Sequence, residues 1–489
     1  MDAEPVSLSP TDPMGRLNLD AFGSVAFVWK TLGLPQEALN SLHLPLDAKC
    51  LPSSFKVDIL AQSTIATSAL AAALLWSVRN ASPIPRVTVP AEHACVEFKS
   101  ERLYTVDGKS ASPPWGAIGG FHKASDGYVR IHDSFPNHHQ NALHVLGLPP
   151  NATKEDVTRE VSKWKAVELE TEAWRRGAVI AALRSIDQWE ALPQASAIAD
   201  APVLFERIAH SEPHMPPQPT TEMTNKCLHG VRVIEMSRVI AAPVAGKTLA
   251  AHGADVIWIT SPSLPDLPDL DIDLSRGKRT VQLDIKKAED KAKLLDLLST
   301  ADVFLQSYRP GSLAAKGLSA AELMEANPRL IVASLSAYGP EGPWSENRGF
   351  DSLVQTCSGI NVAEAEHYGA NEPMRVLPCQ AFDHGAGYLL ATGIIAALYK
   401  RATDGGAYEV SVSLAAVMKY MRSLGRYDGK SGFDRKDFQK PEDVKQYLES
   451  RHTHLGVLEA VRHSACIEGL SVGWDIMPKP LGSDTAGWL

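Results

Sequence analysis

The side chain with the most chemical promise is Asp383, in the run QAFDHGAGY at the head of a helical stretch that reaches about Arg401. An aspartate there can be an N-cap, its oxygen accepting from the first free amides of the helix. The same amides and the helix dipole can instead hold the carboxylate ionised for nucleophilic work, with Gly385 and Gly387 leaving room for a bulky substrate. His384 is adjacent, but successive helical residues point about 100° apart, so it is expected to face elsewhere. Arg276, Lys278 and Arg279 form a small basic cluster, either an anion grip or a solvated turn. Tyr308 and Tyr338 are ligand platforms or core aromatics. His132, His138 and His139 invite a zinc reading, but the adjacent pair lacks helical i, i+4 spacing and no cysteine or carboxylate completes a zinc pattern; no metal is expected. Gly119 and Gly120 read as a hairpin glycine pair.

These residues need a scaffold, and the second half of the chain supplies a regular one. VRVIEM (231–236) is a β-branched run, PVAGKTLAAHG (243–253) reads as a helix closed by glycine, and ADVIWIT (254–260) is a second apolar run. That is a βαβ unit, and TVQLDI, DVFLQS and LIVASLS continue it, so residues 223–430 read as an open α/β sheet domain. The proline-rich run 211–222 reads as a linker. Before it, 111–210 reads as a smaller α+β domain with a hairpin in GGFHKASDGYVRIH and helical runs from Lys154 to Ala209. Residues 1–110 hold a helix at about 58–79 and a strand in RVTVP, an echo of the Asp383 helix and the strand after it. That echo is either a decayed duplication or shared alanine-rich composition. Residues 431–489 are expected to pack back on the domains.

Composition excludes several function classes. The 489 residues are 44% hydrophobic and 21% charged, the balance of a globular protein. A net charge of −9 offers no footprint for a nucleic-acid backbone. Cys50, Cys95, Cys227, Cys357, Cys379 and Cys466 form no CxxC pair, which fits thiols in a reducing compartment, so an intracellular, cytoplasmic location is expected. The N-terminus has no signal-peptide pattern, and the apolar stretch Ala66 to Val78 is read as too short to span a bilayer.

From Leu228 to about Arg426 the chain resembles the class III CoA-transferase family, which includes formyl-CoA and carnitine CoA-transferases and α-methylacyl-CoA racemase. The matching runs are LHGVRVIEMSRVIAAP, AAHGADVIWIT, LSRGKRTVQLDIK, ADVFLQSYRPGSLAAKGL, NPRLIVASLSAYGPEGPW, RGFDSLVQTCSG and FDHGAGYLLATGIIAALYKR, in family order. The resemblance implies a Rossmann-like sheet domain with a smaller α+β domain, and an acyl-CoA:carboxylate CoA-transferase that passes through an aspartyl-CoA thioester on Asp383. It implies CoA contacts at Val239, Lys278, Tyr308, Ser312 and Tyr338, with Gly119 and Gly120 in a loop closing over the site. CoA and acyl-CoA enter as substrates, with no permanently bound cofactor; the partners implied are a carboxylic acid acceptor and a second copy in a homodimer. Two departures stand out. The small-domain segment precedes the sheet domain instead of following it, and the strand ADVIWIT runs into SPSLPDLPD without the usual charged residue. Epimerisation is the alternative chemistry, disfavoured because Phe350 stands where racemase members carry a histidine, and a phenyl ring cannot shuttle a proton. A catalytically impaired pseudoenzyme or complex subunit is the alternative of another class.

Overall fold

The computed structural model describes residues 18–46, 48–216 and 225–489; the expected linker therefore lies outside the described residues from position 217 to its end. Four helices position the site: α1 (Val57–Asn80), α2 (Ala241–Ala251), α3 (Asp351–Cys357) and α4 (Ala381–Thr403). α1 is longer than its apolar stretch suggests. It and α4 are long and apolar enough to cross a membrane by length and composition, yet 89% and 100% of their most apolar windows are buried inside the protein. The reason is that α4 lies between α1 and α2, and small residues let the three backbones approach closely.

Among the described residues the main sheet has seven strands. They are β1 (Leu204–Ala209), β2 (Arg232–Met236), β3 (Asp255–Thr260), β4 (Lys278–Gln282), β5 (Val303–Gln306), β6 (Ile331–Ser336) and β7 (Ala407–Ser413). Their spatial order is β4-β3-β2-β5-β6-β7-β1, all parallel except β1, which pairs antiparallel with β7 at the edge. Val233, Ile234, Val256, Ile257, Val303 and Phe304 are all buried, the near-continuous apolar pattern of strands covered on both faces. β1 corrects the helical reading of 154–209. Helices occupy Lys154–Val161 and Ala166–Arg175, but LFERIA is an edge strand with one covered face, so it lacks the apolar run that marks its neighbours.

The smaller α+β unit is a three-stranded antiparallel sheet, Gly120–Lys123, Tyr128–Ile131 and Ile180–Ala182, with its own core around Ile118, Val129, Leu143, Val157 and Leu169. The C-terminal hairpin, Leu448–Thr453 with Gly456–Val461, pairs with Thr105–Val106 of the first half.

The echo within the chain has a structural counterpart. α1, the short strand Val87–Thr88 and the helix Ala91–Glu97 repeat the order of α4, β7 and the helix Leu414–Ser423. Laying Asp58 on Asp383 without a gap sets Thr67 on Thr392 and Ala71 and Ala72 on Ala396 and Ala397, and an Asp-Gly-Lys-Ser run follows both copies, at 107–110 and 428–431. The two units meet crosswise. Asp58 accepts hydrogen bonds from Tyr427 Oη at 2.8 Å and Arg435 Nη1 at 2.5 Å, both beside the second run. Asp383 shares a cavity with Ser110 and Ala111, at the end of the first.

Candidate active site

In an open parallel sheet the loops at the carboxyl ends of the strands gather on one edge, and a crevice opens where the strand order reverses, here between β2 and β5. A cavity of about 420 Å³ lies there. Its walls are the residues directly after the strands: Arg238 to Ala242 after β2, Thr260 and Ser261 at β3, Leu283 to Lys286 after β4, Ser307 to Arg309 after β5, and Ser336 and Ala337 at β6. Arg238, Lys286, Arg309, Lys316 and Arg348 put positive charge around it. Such a site suits a polyanion carrying an apolar section. Val239, at its inner end, holds φ at +70°, a left-handed conformation that is costly for a β-branched residue.

Asp383 lines this cavity. It is not an N-cap but the third residue of α4, and the amides expected to hold it ionised are taken by another group: Asp351 Oδ2 on α3 accepts from the N–H of Phe382 at 2.7 Å and of Asp383 at 3.1 Å. Burial pushes the Asp383 carboxyl well above the usual aspartate range, and the charges of Asp351 and Glu101 push it further. Asp351 is itself raised by burial, against its hydrogen bonds from Gln355 and the two amides. His384 turns away from the cavity, its Nε2 3.0 Å from Glu101 and its ring stacked on Phe98. Gly385 and Gly387 serve packing, not substrate access. A Cβ on Gly387 would stand 2.5 Å from the Ala241 carbonyl oxygen, and one on Gly385 would stand 3.1 Å from Val417 Cγ1.

A second cavity of about 280 Å³ meets the first at Val239, Ile240, Phe350 and Asp383. Its cover comes from the first half, through Glu101, Arg102, the run Ser110 to Trp115, His132 and Ser134, and from Gln439 to Pro441. His132 stacks face to face on Phe350 with ring centroids 3.8 Å apart. His138 meets the same phenyl edge-on, and His139 approaches the Asp133 carboxylate at 3.3 Å.

Asp383, Val239, Tyr308 and Ser312 thus come together around the larger cavity, whereas three other expectations need correction. Lys278 lines neither cavity. It is fully enclosed, its Nζ 2.9 Å from Glu235 Oε1 and donating to the Pro243 carbonyl at 2.8 Å, because it opens β4 and lies a whole strand away from the ligand-binding edge. Tyr338 is 1% exposed, with its ring packed edge-on against Trp344, so its neighbours Ser336 and Ala337 reach the cavity and it does not. Gly119 and Gly120 are off the site as well. A Cβ on Gly119 would collide with Asp133 Oδ1, and its carbonyl accepts from Lys154 Nζ at 2.8 Å, so the pair is packed into the hairpin base. Residues on either side of the pair, Trp115 and His132 among them, reach Asp383's cavity instead. The cations at Arg238 and Lys286 were missed, although each stands within two residues of the end of a β-branched run and could have been found by asking which charges stand at carboxyl ends of strands.

Comparison with known proteins places the similarity in the same region. Residues 228–437 match a family model described as CoA-transferase family III. An acyl-CoA transferase of Gibberella moniliformis is 25% identical over 407 residues, 76% of this chain and 71% of that protein. A probable fatty acyl-CoA transferase of Mycobacterium tuberculosis is 34% identical over 211 residues, 39% of this chain and 53% of its own length. A formyl-CoA:oxalate CoA-transferase of Rhodopseudomonas palustris is 33% identical over 201 residues, covering 39% and 46%. The chain therefore spans about half the length of these last two relatives. The crystal structure of the mycobacterial protein aligns over 41% of this chain and 58% of that one, at 31% identity and a TM-score of 0.38.

Proposed function

Residues 228–437 match CoA-transferase family III, and we propose that the chain belongs to that family and moves CoA between carboxylic acids with Asp383 as the nucleophile. The observation that carries this reading is the place of Asp383, at the junction of a cation-rimmed cavity and a second, more enclosed one. The first suits the phosphates and pantetheine of CoA, with Arg238, Lys286, Arg309 and Lys316 near the phosphates and Tyr308 and Val239 along the apolar part. The second suits the acyl group.

The chemistry balances without an outside reagent. The Asp383 carboxylate attacks the thioester carbonyl, and the C–S bond breaks to leave an aspartyl acyl anhydride and a CoA thiolate. The thiolate attacks the aspartyl carbonyl, releasing the first acid as its carboxylate and leaving an aspartyl-CoA thioester. The acceptor carboxylate then repeats both steps in reverse order, and the new acyl-CoA leaves with Asp383 restored. Cover over the second cavity keeps water from the anhydride. Incubation with an acyl-CoA followed by intact-mass measurement is expected to show a CoA adduct on the wild-type chain. Asp383→Asn, nearly isosteric, should keep the fold, lose the adduct and lose turnover by several orders of magnitude. Near wild-type turnover in that variant would sink the assignment.

One observation favours epimerisation as a second reading. Phe350 carries an imidazole against its ring, since His132 stacks on that phenyl and lines the same cavity as Asp383. Burial holds its pKa down at about 3, so it stands as a neutral base. Incorporation of solvent deuterium at the acyl α-carbon, without exchange of CoA between acids, is the result that would select this reading.

A further inference from the structure

Resting on the transfer reading, we propose that the second cavity selects a mid-sized apolar monocarboxylic acid, aromatic or medium-chain, over short acids and over dicarboxylates. Size comes first. At about 280 Å³ the cavity has the volume of about nine waters at ~30 Å³ each, so it takes an acyl body of roughly ten non-hydrogen atoms. A two-carbon acid would leave most of it filled with water and would gain little from the walls.

The walls are apolar where a body of that length would lie. From Asp383, 6% exposed at the junction with the first cavity, the second passes Ile240, Leu270 and Phe350 and reaches Trp115, 45% exposed at its mouth. The Trp115 ring is held from two sides, edge-on to His132 at 5.8 Å and with the Arg130 guanidinium 5.7 Å from its centroid. A fixed indole at the open end is a surface on which a second ring or an alkyl chain can lie.

Charge argues against a second carboxylate. Glu101 lines the cavity with 2% exposure, and although burial works to raise its pKa, Arg102 and the His384 ring hold it below the usual carboxylate range, so it is an anion facing the acyl body. Arg102 is already engaged, 2.7 Å from Glu101, and Lys440 is exposed at the mouth, where solvent screens its charge. A dicarboxylate would meet repulsion within and only a screened cation outside. Glu101, Trp115 and Lys440 lie outside residues 228–437, whereas Ile240, Leu270 and Phe350 lie within them, so both parts of the chain shape the selecting cavity.

The test is an identity exchange on the full chain, in which an acyl-CoA is mixed with its own acid labelled at the carboxyl carbon and label entering the thioester is measured. No acceptor need be guessed, since one C–S bond breaks and one forms with no redox change. Hexanoyl-CoA and phenylacetyl-CoA are expected to exchange with kcat/KM at least tenfold above acetyl-CoA and succinyl-CoA. Trp115→Ala should lower the two favoured rates about tenfold more than it lowers acetyl-CoA exchange, and Trp115→Phe should restore the preference. Preference for acetyl-CoA or succinyl-CoA, or an equal loss on every substrate in Trp115→Ala, overturns the proposal while leaving transfer intact. No exchange with any acyl-CoA and no Asp383-dependent CoA adduct overturns the transfer reading and this one with it.

Discussion

Asp383 sits where three carboxyl groups converge, and its proton is the price of that arrangement. Burial, then Asp351, then Glu101 all favour the neutral acid, yet attack on a thioester needs the anion. Since the ionised fraction grows as pH rises toward the elevated pKa, kcat/KM should rise with pH along an acid limb displaced well above the ordinary aspartate value of 3.8. Asp351→Asn removes a like charge while keeping an acceptor for the two amides, so it should move that limb to lower pH in a pH–rate profile. An unchanged limb would mean that another group sets it. Stability follows the same sign: between 3.8 and the raised value the native state holds a proton the unfolded chain has lost, so stability falls as pH rises, and Asp383→Asn should unfold at a higher temperature than wild type at pH 8 but not at pH 4. Lys278 and Lys286 separate grip from architecture. Lys278→Ala strands Glu235 as a buried lone carboxylate and should cost about 3–5 kcal/mol of stability by urea denaturation, against the expectation of a mere CoA contact. Lys286→Ala, on the exposed rim, should raise the KM for acyl-CoA several-fold with kcat unchanged. That Asp383, Val239, Tyr308 and Ser312 gather at one cavity was legible through the family resemblance, whose motifs contain them. Lys278 and Tyr338 misled because a motif match does not say which way a side chain points.

At the scale of elements, the parallel strands announce themselves as β-branched runs because both their faces are covered. β1 does not, since an edge strand with polar residues on its open face lacks that signature. The site depends most on how α4 is held between α1 and α2. Gly387 is the closest approach, so Gly387→Ala should force α4 off the Ala241 carbonyl and Val244, lowering stability by about 1–3 kcal/mol and displacing Asp383 one turn earlier. The expected reading is a lower urea midpoint together with reduced turnover; a variant with both unchanged would show that the three-helix contact has slack. The glycines of this helix were legible as important, but for access to the site, because a sequence shows small residues without showing which neighbour needs the space.

For the molecule as a whole, the cover over Asp383 was expected from the first half of the same chain or of a partner's, and the same chain's first half lines the second cavity together with Gln439 to Pro441. A truncated chain beginning at Asn225 would lose α1 from beside α4 and Trp115, His132 and Glu101 from the second cavity. It is expected to be insoluble or, if recovered, to form no CoA adduct; a folded, active fragment would make the first half an appendage. The order of the two parts was visible in the sequence, and their crosswise fit was not, because contacts between distant segments leave no local pattern. That fit sets a timetable for synthesis. Asp58 opens α1, and the arginine that neutralises it comes 377 residues later, so at about 5–20 residues per second α1 leaves the ribosome roughly 20–75 s before its counter-charge exists. Over that interval a long apolar helix has neither α4 to cover it nor Arg435 to pair with Asp58, and its apolar surface waits for the far end of the chain.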